Sequence, residues 1–150
     1  MANKITGCVF DLDGTLADTA PDIALALNKS LNDAGYKQLP LESIKRMIGN
    51  GIPVLVRRAL FHVEAPDNLA PDVITSMLSY SRKYYCEKSS LMHGVENCLE
   101  GLKKRAIPMS VCTNKDETVA QMVVSALDLN SYFSAIVGSR PNLVKKPDPS

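Results

Sequence analysis

The sequence predicts an α/β fold, a parallel-sheet core interrupted by an inserted block of helices. Three observations predict it. A short apolar run, Ile5 to Phe10, leads into the acidic loop Asp11-Leu12-Asp13-Gly14-Thr15. A block of helical patterns follows with no strand signal inside it. From Val95 onward, helical and strand-like patterns alternate, as they do when crossover helices link parallel strands.

Taken in order, Ile5–Phe10 reads as a buried strand. A helix begins at Thr19, whose hydroxyl can cap it. Pro21 suits its first turn, Ile23, Leu27, Leu31 and Ala34 form one stripe, and Gly35 ends it. Leu41–Ile48 and Ile52–Phe61 read as shorter helices, separated by Gly49-Asn50-Gly51. Pro71–Glu87 is another helix, with Val73, Ile74, Met77, Leu78 and Tyr84 on its apolar side. Then come a helix at Val95–Arg105, a strand at Ile107–Cys112, a helix at Glu117–Leu127 and a short strand at Ala135–Val137. Right-handed crossovers bring the strand ends at Asp11 and Thr113 to one edge of the sheet, where open α/β sheets bind ligands.

Composition agrees. Hydrophobic residues make up 45% and charged residues 22% of the 150, enough apolar material for a core. A net charge of +1 gives no electrostatic case for nucleic acid or an anionic membrane. The N-terminal apolar run is too short for a secretory signal, and no stretch has the length of a membrane span. The four cysteines match no zinc or redox spacing. Cys8 and Cys112 sit in apolar runs and are expected to be buried thiols, and a reducing cytoplasm is the simplest compartment.

Three short segments carry chemistry. In Asp11-Leu12-Asp13, two carboxylates two positions apart can share one side of an extended segment. Gly14 lets the chain turn and lets a ligand approach the backbone. Two like charges ~4 Å apart repel by ~4 kcal/mol at an effective dielectric of ~20, a cost that a cation or a proton removes. Magnesium suits a site with so few carboxylates. The plainer reading is that these residues cap a turn. Thr113-Asn114 ahead of a helix makes either an anion site or an ordinary cap. Lys145-Lys146-Pro147-Asp148-Pro149 is either an exposed basic turn or a lysine held for a phosphate. Together the three supply a nucleophile, a second carboxylate, a hydroxyl and a cation, the components of phosphoryl transfer.

The strings FDLDGTLADT, VCTNK and KKPDP together resemble the haloacid dehalogenase superfamily, most closely its phosphoglycolate phosphatase branch. IGNGIPVLVRRAL is similar to the helical cap of that branch, and MHGVENCLEGLKK to the return into the core, with His93 where the family usually has proline. The resemblance covers Lys4 to Pro149. It implies a Rossmann-like core formed by residues 1–16 and 86–150, with residues 17–85 as the helical cap. It implies that Asp11 attacks phosphorus to form an aspartyl-phosphate, and that Asp13 acts as acid and then base. The Asp11 side chain and the Asp13 carbonyl would bind magnesium. Thr113 and Lys146 would hold the phosphoryl oxygens, helped by Asn114 and by the N–H groups after Asp11, at Gly14 and Thr15 among them. In the cap, Gly51 would let a loop reach the site, and Arg57 either meets a substrate carboxylate or lies with Arg58 on a solvated helix face. Asp18 is expected to cap the following helix. The expected substrate is a small phosphorylated metabolite, 2-phosphoglycolate first. A phosphosugar mutase of the same superfamily and a non-catalytic binding or oligomerising fragment are the alternatives.

The superfamily carries a fourth motif, one or two acids after the next strand, which completes the magnesium site. The sequence stops at Ser150, before that motif. The resemblance therefore implies a core incomplete at its C-terminus, a bare edge on the first strand through which chains can associate, weak magnesium binding and slow turnover.

Overall fold

The computed structural model describes residues 5–148. Met1–Lys4 and Pro149–Ser150, including the last proline of the Lys145–Pro149 segment, lie outside the described residues. In chain order the elements are β1 (Cys8–Phe10), β2 (Ala17–Asp18), α1 (Ala20–Asp33), α2 (Leu41–Lys45), α3 (Ile52–His62), α4 (Ala70–Lys83), β3 (Ser90–Leu91), α5 (Val95–Lys104), β4 (Met109–Asp116), α6 (Glu117–Ala126) and β5 (Ala135–Ser139). Short 3₁₀ turns precede α4 and β5. No helix among the described residues is long and apolar enough to cross a membrane.

The sheet grows around β4. Its alternate residues Met109 and Val111 are buried, and β1 and β5 pair with it in parallel on either side, giving the order β1-β4-β5. Val119, Ala120, Val123 and Val124 of α6 pack onto that face with Leu99 of α5. Burying each such valine or leucine contributes roughly 1.5–3 kcal/mol. Asp116 ends β4 and starts α6, because its Oδ1 accepts the Val119 N–H at 3.1 Å. A cap of this kind is worth about 1 kcal/mol.

The helices α1 to α4 close over a second apolar cluster. Leu27 and Leu31 of α1, Ile44 of α2, Leu55, Val56 and Leu60 of α3, and Val73 and Met77 of α4 are all buried in it. Asn28 ties the loop after α1 to this block, donating to the Leu39 carbonyl and accepting its N–H.

Both chain crossings between the helical block and the sheet run side by side. Ala17 pairs with Leu91 and Asp18 with Ser90, so β2 and β3 form an antiparallel ribbon. Just beyond it, buried Asp22 in the first turn of α1 accepts the N–H groups of Lys88 and Ser89 and the Ser89 hydroxyl at 2.6–3.0 Å. Replacing Asp22 by Ala is expected to strand these donors and cost about 2–4 kcal/mol. The urea midpoint should fall with the slope unchanged.

The structure corrects several sequence expectations. The first strand is shorter than Ile5–Phe10 and is not buried. Ile5 is 54% and Val9 71% exposed, because β1 lies at the sheet edge with a partner on one side only among the described residues. The second strand runs past Cys112 to Asp116, so Thr113 lies inside it and not ahead of a helix. Cys8 and Cys112 are half-buried, and all four cysteines are free. Thr19 makes no capping bond with its side chain, whereas Asp18 accepts the Ala20 N–H at 3.3 Å. The last helix of the block stops at Lys83 and not at Glu87, since the chain must extend to reach Asp22.

Candidate active site

Asp11 follows β1 directly and Thr113 lies in β4, so the parallel pairing of these strands carries both to one end of the sheet. The β4–β5 register advances from Cys112/Val137 to Asp116/Ser139, leaving β4 two residues longer than β5 over that stretch. The irregularity turns Thr113, Asn114 and Lys115 toward the cleft. Gly14, at φ 77°, turns the acidic loop back so that its N–H meets the Ala17 carbonyl at 2.8 Å.

The cleft lies between the sheet edge and the helical block and takes in about 600 Å³, part of it open to solvent. Asp11, Asp13, Thr113, Asn114 and Lys115 form its floor, and Ile23, Ile48, Ile52, Leu55 and Met77 its apolar roof. Lys146 reaches Asp11 from the loop after β5. Its Nζ lies 3.1 Å from Asp11 Oδ1 and donates to the Cys112 carbonyl at 2.7 Å. Asp11 Oδ1 also accepts the Leu12 N–H at 2.8 Å. Both contacts of Asp11 thus fall on one oxygen. Asp13 is arranged alike. Its Oδ1 accepts the Thr19 hydroxyl at 2.5 Å and the Lys115 ammonium at 3.0 Å.

Of the residues named from sequence, the structure brings Asp11, Asp13, Thr113, Asn114, Gly51 and Lys146 together around this cleft. It leaves others elsewhere. Arg57 is exposed, pairs with Asp67 and does not line the cleft. Thr15 borders a separate apolar trough with Phe10, Leu16 and Val95. The N–H groups of Gly14 and Thr15 are spent on the Ala17 and Leu12 carbonyls within the turn. Sequence reasoning missed Lys115 and Thr19 as the partners of Asp13. The lysine inside VCTNK was the available signal for the first, and for the second the threonine that closes FDLDGTLADT, which reads as a helix cap. Cys86 is half-buried, and burial first and the charge of Asp22 second push its thiol above the usual value.

A parallel sheet with this floor of carboxylates, hydroxyl and ammonium defines the class. The chain belongs to the haloacid dehalogenase-like hydrolases, whose family profile matches residues 8–150. Among relatives, it is 33% identical over 147 residues to a phosphoglycolate phosphatase of Colwellia psychrerythraea, covering 95% of this chain and 65% of the relative. It is 38% identical to a phosphoglycolate phosphatase of Pseudomonas syringae pv. syringae, covering 95% of this chain and 53% of that one. A crystal structure of a predicted phosphoglycolate phosphatase from Haemophilus somnus superposes with a TM-score of 0.90 at 29% identity, over 99% of this chain and 69% of the other. The chain therefore spans about half to two thirds of the length of the curated relatives it matches.

Proposed function

We propose that this cleft hydrolyses a small phosphomonoester, 2-phosphoglycolate first, through an aspartyl-phosphate on Asp11. The observation that carries the reading is the convergence of Asp11, Asp13, Thr113 and the Lys146 ammonium on one end of the sheet. Asp11 attacks phosphorus with the carboxylate oxygen that Lys146 and Leu12 leave open. Asp13 has its Oδ1 held by Thr19 and Lys115, so Oδ2 gives a proton to the departing alkoxide. The same oxygen then takes a proton from the water that attacks the aspartyl-phosphate, and Asp11 is regenerated. Thr113 and Lys146 hold the phosphoryl oxygens, since phosphoryl transfer depends on positioning and charge stabilisation. The apolar roof of Ile23, Ile48, Ile52, Leu55 and Met77 faces this polar floor and lowers the polarity around the reacting groups.

Among the described residues no cluster of three or more metal-ligating side chains exists. The Asp11 carboxylate, 44% exposed, and the Asp13 carbonyl offer two oxygens, and this donor set fits magnesium, which keeps waters and takes phosphate oxygens as further ligands. When bound, magnesium supplies neutralisation of the charge on the transferring group. The relatives' names support 2-phosphoglycolate as the first substrate to assay. Slow phosphate release from 2-phosphoglycolate and p-nitrophenyl phosphate is expected with magnesium, and none after chelation. Release that continues at the same rate in excess EDTA would refute the metal-assisted reading.

A further inference from the structure

One side-chain amide joins the two walls of the cleft. Asn114 Nδ2 donates to the Gly49 carbonyl of the helical block at 3.1 Å and to the Lys146 carbonyl at 3.2 Å. Its Oδ1 accepts the Lys146 N–H at 2.9 Å. Two donor hydrogens and one acceptor oxygen are thereby committed to main-chain groups, with no donor left for a phosphoryl oxygen. Gly51, in the same loop as Gly49, lies against Lys145. A Cβ there would stand 2.7 Å from Lys145 Nζ and 3.2 Å from the Asn114 carbonyl oxygen.

We propose that Asn114 is a positioning residue that couples docking of the Gly49–Gly51 loop to placement of Lys146 on Asp11. The amide is planar and its two N–H directions are fixed relative to its carbonyl, so it cannot turn to follow one partner without losing another. With the loop docked, three bonds hold the amide and the amide holds the Lys146 main chain at both its N–H and its carbonyl. That hold sets where the Lys146 ammonium begins its reach to Asp11 Oδ1. With the loop away, one anchor is gone and the amide is free to rotate. Lys146 is then firmly placed only while the roof covers the cleft. The catalytic meaning of the coupling rests on the proposed phosphatase reading, whereas the coupling itself can be measured without turnover.

The test uses the ¹⁵N-labelled 150-residue chain, with the amide exchange rate of Lys146 and the order parameters of Gly49–Gly51 as readouts. In Asn114→Ala, Lys146 exchange should rise roughly fivefold or more, as loss of a hydrogen bond of ordinary strength implies. The loop order parameters should fall from ~0.85 toward ~0.6. Asn114→Asp keeps the acceptor for Lys146 and loses both donors. It should mobilise the loop and give an intermediate Lys146 rate. Gly51→Ala is the decisive variant, because its φ of 82° strains the loop, and the atoms a Cβ there would meet belong to Lys145 and Asn114 and not to Lys146 itself. Coupling requires Lys146 exchange to quicken there too. A wild-type rate at Lys146 in Gly51→Ala, or an unmoved loop in Asn114→Ala, overturns the proposal. Retained β4 and β5 cross-peaks in each variant separate these outcomes from unfolding. Loss of phosphatase activity with the exchange pattern intact, or the reverse, tells failure of one reading from failure of the other.

Discussion

Asp11→Asn is expected to lower magnesium-dependent turnover by on the order of 10³-fold or more, as removal of a covalent nucleophile does elsewhere. The substitution is nearly isosteric. An asparagine oxygen can still accept the Leu12 N–H and face Lys146 Nζ, so the loop geometry has the same anchors. What disappears is the second carboxylate oxygen, the one the structure leaves uncommitted. An amide nitrogen in its place does not attack phosphorus. The variant should therefore show an unchanged thermal midpoint and lost phosphate release, with no phosphoryl adduct in the intact mass after substrate mixing. Turnover within tenfold of the parent would remove Asp11 from the chemistry and the proposed mechanism with it.

A large effect on stability is expected at Gly138, a residue that does not line the cleft. A Cβ built there would lie 2.4 Å from Glu117 Cα and 2.8 Å from both Glu117 N and the Lys115 carbonyl oxygen. All three are main-chain atoms and cannot swing aside. The Gly138 N–H also donates to Glu117 Oε2 at 3.1 Å, so β5 is drawn against the start of α6. Gly138→Ala must push β5 away from β4 or move the first turn of α6, and is expected to cost about 3 kcal/mol. For a chain of this size the melting midpoint should fall by roughly 10 °C. A fall of only a degree or two would mean that β5 has slack. Because Lys115 is one of the atoms met, the displaced segment is the one that carries Thr113 and Asn114.

The layers of this molecule were legible because its long elements are periodic. The stripes of α1 and α4 and the alternation of the second half gave their own positions within a few residues. The ribbon β2–β3 was not legible, since two-residue strands have no period and exist only because two distant linkers meet. Thr113-Asn114 reads in the sequence as the approach to a helix, either an anion site or a cap, yet β4 continues to Asp116, which pairs with Ser139 of β5, a tertiary pairing. The site divides the same way. Asp11, Asp13, Thr113 and Lys146 were found because three short strings fall at the same sheet edge. Lys115 and Thr19 meet Asp13 only after folding, from 102 and 6 residues away. For Arg57 the sequence leaves a substrate contact and a solvated helix face both open, because nothing in it fixes which way α3 is turned. The rotation of α3 turns Arg57 toward Asp67, and Leu55, two residues earlier, is the one at the cleft.

The ribbon has a consequence for how this architecture can vary. Entry and exit of the whole helical block occur at adjacent, hydrogen-bonded positions, Asp18 beside Ser90. Seen from the sheet, everything between them is a single decorated hairpin. The entropy of closing that excursion grows only with the logarithm of its length, about 0.6 kcal/mol per doubling, and the block's own buried core offsets it. A larger, smaller or differently shaped superstructure can be grafted at that point without cutting the sheet, provided that it still presents a carbonyl to the Asn114 amide, as Gly49 does.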